Sequence, residues 1–182
     1  MDAKDISNGL DTTMKINFGC GSIQPSDWVN IDLDPEFNTE YKDLKLIPDN
    51  SCDIIVCHAI VCCVKYHDIE KVLSEFYRVL KPGGVARISL PDIVSGFNAY
   101  KNNNISFFPN SEDDLDNRFS AWLTWYSQSA SLLTSKALQY KLKSVDFGNV
   151  SETKFKQTVY SNEKIYELDT REHEFYFVEA IK

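Results

Sequence analysis

The sequence has no long hydrophobic run. A membrane-spanning helix needs roughly 20 consecutive apolar residues, and no stretch approaches that length. Residues 1–13, a polar N-terminal arm, also lack the apolar centre of a secretory signal peptide. We therefore expect a cytoplasmic protein that does not insert into a membrane. With 182 residues, 43% of them hydrophobic, the chain is long enough for one sizeable core, and we expect a single domain over residues 1–182.

The sequence also lacks the cysteine pattern of a disulfide scaffold or a metal site. The number of cysteines is odd, and they fall inside apolar segments, at Cys20, Cys52, Cys57, Cys62 and Cys63. An extracellular disulfide framework has an even set. Cys62 and Cys63 are adjacent, but no second pair or histidine cluster stands at ligand spacing. We expect reduced, mostly buried thiols and no structural metal.

Basic residues are too few to favour a polyanionic partner. Lys and Arg total 19 against 27 Asp and Glu, which gives a net charge of −8. Such a charge repels nucleic acid unless a local basic patch overrides it. Lys136, Lys141 and Lys143 lie at helical spacing, which is more typical of a solvated helix face than of a phosphate track. We therefore expect no nucleic-acid substrate.

The first half of the chain alternates short β-rich runs with turns and one amphipathic helix. The runs are Met14–Phe18, Trp28–Leu33, Cys52–His58 and Val85–Leu90. Between the last two, apolar residues recur every three or four positions, which predicts a helix from Asp68 to Leu80. Asp68 can cap this helix, and the segment from Lys81 to Gly84 can end it. The alternation predicts a parallel sheet covered on both faces.

The second half is predicted to be mostly helical before two final strands. One helix carries an apolar face formed by Leu115, Phe119, Trp122, Leu123 and Tyr126, and another runs from about Ser135 to Ser144. Strands follow at Asn149 to about Val159 and at Glu174–Ile181, and a hairpin would make the last strand antiparallel to the rest. Lys101 to Asp114 is a surface loop or a mobile flap.

A glycine pair follows the first predicted strand. Gly19 and Gly21 flank Cys20 and let the backbone approach a ligand, although the loop also suits an ordinary tight turn. The third glycine of a dinucleotide fingerprint is absent, since Gln24 stands in its place. The second strand ends near Asp32 and Asp34, where a carboxylate can accept ribose hydroxyl protons. We favour Asp32, which lies at the end of the strand rather than in the loop.

Further along the chain, segments occur in an order that resembles a known family. They are the Gly19–Gly21 loop followed by Trp28–Asp32, the acidic and apolar segment Asp43–Asp53, the turn Arg78–Gly84, the strand exit Leu90–Asp92, and the endings Leu142–Val150 and Phe175–Lys182. Together they resemble the class I S-adenosylmethionine-dependent methyltransferases, in particular small members of the type 11 kind with a Gly-Cys-Gly loop. The resemblance implies a Rossmann-like three-layer α/β sandwich. Its sheet would be seven-stranded and mostly parallel, with an antiparallel C-terminal strand.

The resemblance also implies roles for individual residues. S-adenosylmethionine would be the cofactor, and the residues that bind it would be Phe18, Gly19, Cys20, Gly21, Asp32, Leu33, Asp43, Leu44, Cys57 and His58. Of these, the loop from Gly19 to Gly21 would lie beside the methionine part. Asp32 and Leu33 would lie at the ribose and adenine, Asp43 and Leu44 beside the adenine, and Cys57 and His58 near the methyl group.

Catalytic residues are less defined, because methyl transfer from an activated sulfonium does not require a base. Asp92 and His58 are the candidates if the acceptor must be deprotonated, and His58 fits a structural hydrogen-bonding role equally well. Residues 93–139 would form the variable acceptor or lid region. The acceptor could be a small metabolite, a saccharide, a lipid or a protein side chain, and we favour a small molecule or saccharide. The oligomeric state is open.

The chain departs from the family pattern at three places. Only ten residues separate Gly21 from Asp32, so a short turn must replace the usual helix. Val61 and Cys62 stand where a Glu-His pair is common. Asp146 replaces a glycine that would end a helix, and we expect Gly148 to take over that role.

These departures leave two alternatives open. A non-catalytic S-adenosylmethionine-binding or interaction protein could retain the fold without the lost polar pair. Aminopropyl transfer is disfavoured, since it needs paired acids around an amine and Asp92 stands alone.

Overall fold

Six strands form one sheet in the part of the chain that the computed structural model describes, residues 13–32, 34, 36–37, 39, 43–109, 114–126, 128–160 and 165–182. The strands are β1 Lys15–Phe18, β2 Val29–Ile31, β3 Cys52–His58, β4 Leu80–Pro91, β5 Ser151–Thr153 and β6 Phe175–Ile181. The helices are α1 Ile69–Val79, α2 Ile93–Lys101, α3 Leu115–Leu123, α4 Ser135–Ser144 and α5 Ile165–Leu168. Short 3₁₀ turns lie at Val61–Cys63, Tyr66–Asp68 and Ile105–Phe107.

The sheet order is β2-β1-β3-β4-β6-β5. The first four strands are parallel, while β6 runs antiparallel to both β4 and β5. This confirms the predicted Rossmann-like α/β class and the antiparallel last strand. The described residues contain six strands rather than the expected seven, and residues 40–42 lie outside them. The carboxyl ends of β1 to β4 share one edge, which is where ligands bind in open α/β sheets.

Strand β3 shows why both faces of the sheet are covered. Its side chains alternate, because successive residues of a strand point to opposite faces. Ile55 and Cys57 belong to the core cluster that includes the apolar residues of α1 and α4. Ile54 and Val56 belong to a second cluster, with Trp28 and α5. The near-continuous apolar run of β3 therefore follows from burial on two sides.

Helix α1 agrees with the predicted span, but both of its ends differ from expectation. Asp68 makes no capping hydrogen bond, and its carboxylate instead accepts from Lys71 Nζ at 2.7 Å. Helix α1 stops at Val79 because Leu80 is already extended and pairs with Cys52. The predicted stop from Lys81 to Gly84 consequently lies inside β4.

Helix α4 has the predicted bounds, and its C-terminal end corrects the expectation for Gly148. Asp146 itself adopts the left-handed conformation, with φ of 69°. Gly148 has no positive φ, and its N–H donates to Ile181 O at 2.9 Å. The chain therefore reverses after α4 on a residue that carries a Cβ, although this region favours glycine.

We expect Asp146→Gly to raise the free energy of unfolding by about 0.5–1 kcal/mol, because glycine relieves left-handed strain but loses more backbone entropy on folding. Urea denaturation measures this change. Asp146→Ala removes the same charge but keeps the Cβ, so it should not stabilise the protein. Equal midpoints for the two variants would show that strain at this position is unimportant.

The predicted strand from Asn149 to about Val159 is much shorter, since β5 ends at Thr153. The backbone beyond it turns toward the buried guanidinium of Arg87, which donates to Lys154 O at 3.0 Å and to Gln157 O at 2.9 Å. These bonds compete with continued strand pairing. The predicted loop from Lys101 to Asp114 begins at the end of α2 and contains a 3₁₀ turn, and residues 110–113 of it lie outside the described part.

Candidate functional site

Two asparagines shape the short link between β1 and β2. The buried Asn17 Nδ2 donates to Ile23 O at 2.7 Å and to Asn30 Oδ1 at 3.1 Å. Asn30 Nδ2 in turn donates to Pro25 O at 2.9 Å. Side-chain amides therefore satisfy the carbonyl groups that a helix would otherwise pair. The predicted short turn in place of a helix is found.

The glycine loop after β1 requires glycine for both conformation and space. Gly19 and Gly21 have φ of 77° and 50°. A Cβ added to Gly19 would lie 1.8 Å from Ile60 Cγ1, far inside van der Waals contact. The Gly19 N–H donates to Ile31 O at 2.8 Å, which ties the loop to the end of β2. The loop therefore lies directly against the segment that follows β3.

The carboxylate of Asp32 is fixed just after the end of β2, beside the glycine loop. Its Oδ2 accepts the Gly21 N–H and its Oδ1 accepts the Asp34 N–H, each at 2.9 Å. Asp32 is only 8% exposed. A carboxylate oxygen can accept more than one hydrogen bond. The two backbone amides therefore orient the carboxylate and leave it capacity to accept ligand hydroxyls.

These groups open onto a cavity of about 580 Å³, a volume typical of a small-molecule site. Its walls are Phe18, Gly19, Gly21, Ile31, Asp32, Asp34, Phe37, His58, Ala59, Ile60, Cys63, Val64 and Gln128. The five sequence-predicted residues among them are Phe18, Gly19, Gly21, Asp32 and His58. The wall combines two carboxylates with apolar and aromatic side chains, which suits a ligand with both a polar and an apolar part.

Two other predicted cofactor residues do not line this cavity. Cys20 and Cys57 are buried, and burial raises the pKa of the Cys57 thiol to about 12. Leu33 lies outside the described residues. None of the five cysteines is in a disulfide, and Cys63 is the exposed one.

Asp43 and Leu44 line a second cavity of about 360 Å³. It shares Phe18 with the first cavity, and its other walls come from α1 and Lys45. A hydrogen bond from the Lys45 N–H lowers the pKa of Asp43. Phe18 therefore stands between the two groups of predicted residues. That a single cofactor contacts both groups of residues is a prediction.

The wall residues that were not among the predicted cofactor residues come from three sources. Ile31, Asp34 and Phe37 lie at and just after the end of β2, beside the predicted Asp32. A second group follows β3 at its carboxyl end and consists of Ala59, Ile60, Cys63 and Val64. The order of the strands could have predicted this position, because ligands bind at the carboxyl edge of a parallel sheet. Gln128 is different, because a long-range contact brings it to the site. The Ala130 and Ser131 N–H groups both donate to Cys62 O at 2.9 Å, and this bond pair holds the region after α3 against the turn after β3.

His58 is held on three sides. Its Nδ1 lies 2.6 Å from Ser89 Oγ, its Nε2 lies 2.7 Å from Thr170 Oγ1, and its ring stacks on Phe175 at 4.7 Å between centroids. Burial lowers the pKa of His58 to about 4. The imidazole is therefore neutral near pH 7, with both nitrogens bonded to hydroxyl groups. This geometry favours the structural role over the base.

A pH dependence of stability follows from His58. Between pH 6.5 and about 4, His58 binds a proton in the unfolded chain but not in the folded protein. The free energy of unfolding should therefore fall as the pH falls through this window. His58→Phe preserves an aromatic ring against Phe175 but removes this titration, and it should therefore show a shallower decline. Urea unfolding across the window measures both slopes. Identical slopes would contradict a lowered pKa at His58.

Asp92, the other candidate base, caps helix α2. Its Oδ1 accepts the Val94 and Ser95 N–H groups at 3.1 Å, and its Oδ2 accepts from Ser95 Oγ at 2.6 Å. It lines a separate cavity of about 380 Å³, together with Phe175. Since Phe175 stacks on His58, this pair of rings stands between the two cavities. A base role for Asp92 would have to compete with its capping bonds.

The aromatic residues of the expected acceptor region mostly form core. Phe108, Trp122 and Trp125 are buried with Phe175 in one cluster. Trp122 Nε1 also donates to Glu174 Oε2 at 3.1 Å, which fastens α3 to the start of β6. The more exposed aromatics of this region, Phe97 and Tyr126, do not line the 580 Å³ cavity.

Within the described residues, no group of three or more His, Cys, Asp or Glu side chains is placed to hold a metal ion. Over the same residues, no helix has the length and apolar character needed to cross a bilayer.

Comparison with known proteins agrees with this geometry. The family described as "Methyltransferase domain" matches residues 16–88. An S-adenosylmethionine-dependent methyltransferase from Archaeoglobus fulgidus has a similar structure, with a TM-score of 0.59 at 16% identity over 93% of this chain and 86% of that one. One from Mesorhizobium loti gives a TM-score of 0.56 at 17% identity over 93% and 90%.

Among curated proteins, thiol S-methyltransferase TMT1B of Rattus norvegicus and of Homo sapiens are each 43% identical to this chain over 44 residues. That match covers 24% of this chain and 17% of each relative. The chain therefore spans about a sixth of the length of the curated relatives it matches.

Proposed function

Because the methyltransferase-domain family matches residues 16–88 and the fold is similar to that of S-adenosylmethionine-dependent methyltransferases, we propose that this chain is a class I member of that family. It would bind S-adenosylmethionine in the 580 Å³ cavity and transfer the methyl group to a small-molecule acceptor. The observation that carries this proposal is the carboxylate of Asp32, buried at the cavity and oriented by the Gly21 and Asp34 amides. A carboxylate in that position suits a pair of ribose hydroxyls.

The residues of the cavity fit the rest of the cofactor. Phe18, Phe37 and Ile31 supply apolar surface that suits an adenine ring. Asp34 adds a second carboxylate, and the cofactor carries positive charge at its amino group and its sulfur. Among the described residues, a Cβ at Gly21 would meet Phe37, at 3.9 Å, so glycine keeps the loop clear on the cavity side. The cavity therefore offers apolar surface for the adenine ring and carboxylates for the positively charged groups of the cofactor.

The cofactor supplies an already activated methyl group, so the protein's contribution is positioning and exclusion of water. Ile60 and Val64 form apolar wall after β3. His58, neutral because burial lowers its pKa to about 4, places no positive charge beside a sulfonium. We propose that His58 is a positioning residue held by Ser89 and Thr170 rather than a base.

We propose a small thiol as the first acceptor to test, with saccharides and other small metabolites next. The reason is the local similarity to proteins named thiol S-methyltransferases. A thiol suits a site without a free base, since thiolate is appreciably populated near neutral pH.

The test begins with calorimetric titration of the protein with S-adenosylmethionine and S-adenosylhomocysteine. We expect micromolar binding of both, followed by transfer of labelled methyl from the cofactor to a panel of thiols, amines and saccharides. Asp68→Asn, which changes a partly exposed carboxylate at the N-terminal end of α1, is the matched control and should bind as the unmodified chain does. Binding without transfer to any class would favour the non-catalytic alternative. No binding to folded protein would overturn the proposal.

A further inference from the structure

Two adjacent thiols lie at the edge of the cofactor cavity, where no proposed step uses them. Cys62 and Cys63 belong to the 3₁₀ turn after β3. Cys62 is buried at 2% exposure, whereas Cys63 is exposed and lines the cavity. The buried thiol and the exposed thiol are therefore neighbours at the rim of the cavity.

The two sulfur atoms converge on one carbonyl oxygen. Cys62 Sγ and Cys63 Sγ donate to Ala59 O at 3.0 and 3.3 Å, so both lie on the same side of the turn. They also influence each other: the neighbouring Cys62 side chain lowers the pKa of Cys63, and the neighbouring Cys63 side chain, together with burial, raises the pKa of Cys62. One accessible thiol with a lowered pKa thus stands beside a second, buried thiol.

We propose that Cys62 and Cys63 form a dithiol site that chelates a trivalent organoarsenical at the edge of the cofactor cavity. A soft trivalent centre prefers thiolate ligands, and two thiols on neighbouring residues give it a chelate. The third substituent, the organic group, has room in the cavity that Cys63 lines, against Ile60 and Val64. Two cysteines suffice here, although they are too few for a structural zinc site.

Chelation fits this pair better than a direct disulfide does. Adjacent Cα atoms are about 3.8 Å apart across a trans peptide, and disulfides usually span about 4.4–6.8 Å. A bridging arsenic atom enlarges the ring by one member and relieves this constraint. The backbone of the turn, held by the Ala130 and Ser131 amides on Cys62 O, can then stay in place.

The reaction requires no oxidant. Phenylarsine oxide reacts with two thiols to form two arsenic–sulfur bonds, while the arsenic–oxygen bond breaks and the two thiol protons leave with that oxygen as one molecule of water. Arsenic remains trivalent throughout. Cys63 reacts first because it is exposed, and Cys62 then closes the ring through rotation of its side chain.

Phenylarsine oxide and intact-mass measurement test the site on the full chain. We expect one arsenical per chain, retained in excess monothiol and released by 2,3-dimercaptopropanol. Cys62→Ser and Cys63→Ser should each lose the arsenical to monothiol at least about tenfold faster, because each leaves a single bond in place of a chelate. Cys57→Ala, which removes a buried thiol outside the pair, should retain it.

Two results would overturn the dithiol site: no monothiol-resistant adduct on the unmodified chain, or an equally resistant adduct on folded Cys63→Ser.

A second experiment, competition with a cofactor product, depends on the proposed function. Saturating S-adenosylhomocysteine should slow the reaction of Cys63, because that thiol lines the same cavity. If the nucleoside does not bind while the resistant adduct still forms, the cofactor proposal fails and the dithiol site stands.

Discussion

Replacing Asp32 by alanine should weaken the binding of S-adenosylhomocysteine at least about hundredfold. A hydrogen bond to a charged group contributes about 1.5–3 kcal/mol, and about 1.4 kcal/mol corresponds to tenfold in affinity. The substitution removes the acceptor for ligand hydroxyls, and it also frees the Gly21 and Asp34 amides that shape the loop. Both losses act in the same direction. Calorimetric titration measures the change.

A conservative variant separates the two contributions. Asp32→Asn keeps one oxygen acceptor and loses the charge, so we expect affinity to fall about tenfold, between the unmodified chain and Asp32→Ala. Circular dichroism and urea unfolding must show that both variants remain folded. Unchanged affinity in folded Asp32→Ala would place the cofactor elsewhere, because no other buried carboxylate lines this cavity among the described residues.

Replacing Arg87 by methionine should have the largest effect on stability, a loss of about 3–5 kcal/mol. The Arg87 guanidinium is buried, and it donates to Asp169 Oδ1 at 2.9 Å, to Asp169 Oδ2 at 2.6 Å and to Glu179 Oε1 at 2.7 Å. It also donates to the carbonyls of Lys154 and Gln157. Methionine fills much of the volume but leaves two buried carboxylates without a cation. Urea unfolding with a fluorescence and a circular-dichroism probe measures the loss.

The origin of that loss can be tested by removing the charges as well. Adding Asp169→Asn and Glu179→Gln to Arg87→Met should restore much of the stability, since amide oxygens can still accept the backbone bonds that these residues make. Arg171→Met breaks a pair, 3.3 Å long, between the exposed Arg171 and the partly buried Glu174, and should cost less than about 1 kcal/mol. If Arg87→Met is no more destabilising than Arg171→Met, the buried cluster does not stabilise the fold.

Local sequence patterns determined much of the architecture. The bounds of β3 and α4 agree with those expected from residue periodicity. A strand buried on both faces has a continuous apolar run, and a helix buried on one side has apolar residues every three or four positions. The glycine loop and Asp32 were likewise predicted as one site. Parallel strands bring their carboxyl ends to one edge, so order along the chain already placed these residues together.

Long-range contacts decided what each polar side chain does. His58 is neutral and structural because Thr170, 112 residues away, and Ser89 bond its ring. Arg87 lies in an apolar strand, and its carboxylate partners are 82 and 92 residues further on. Gln128 reaches the cavity in the same indirect way. Periodicity reports which face of an element is buried, but the charge and hydrogen-bonding state of a group depend on neighbours that only the packed chain brings within a few ångströms.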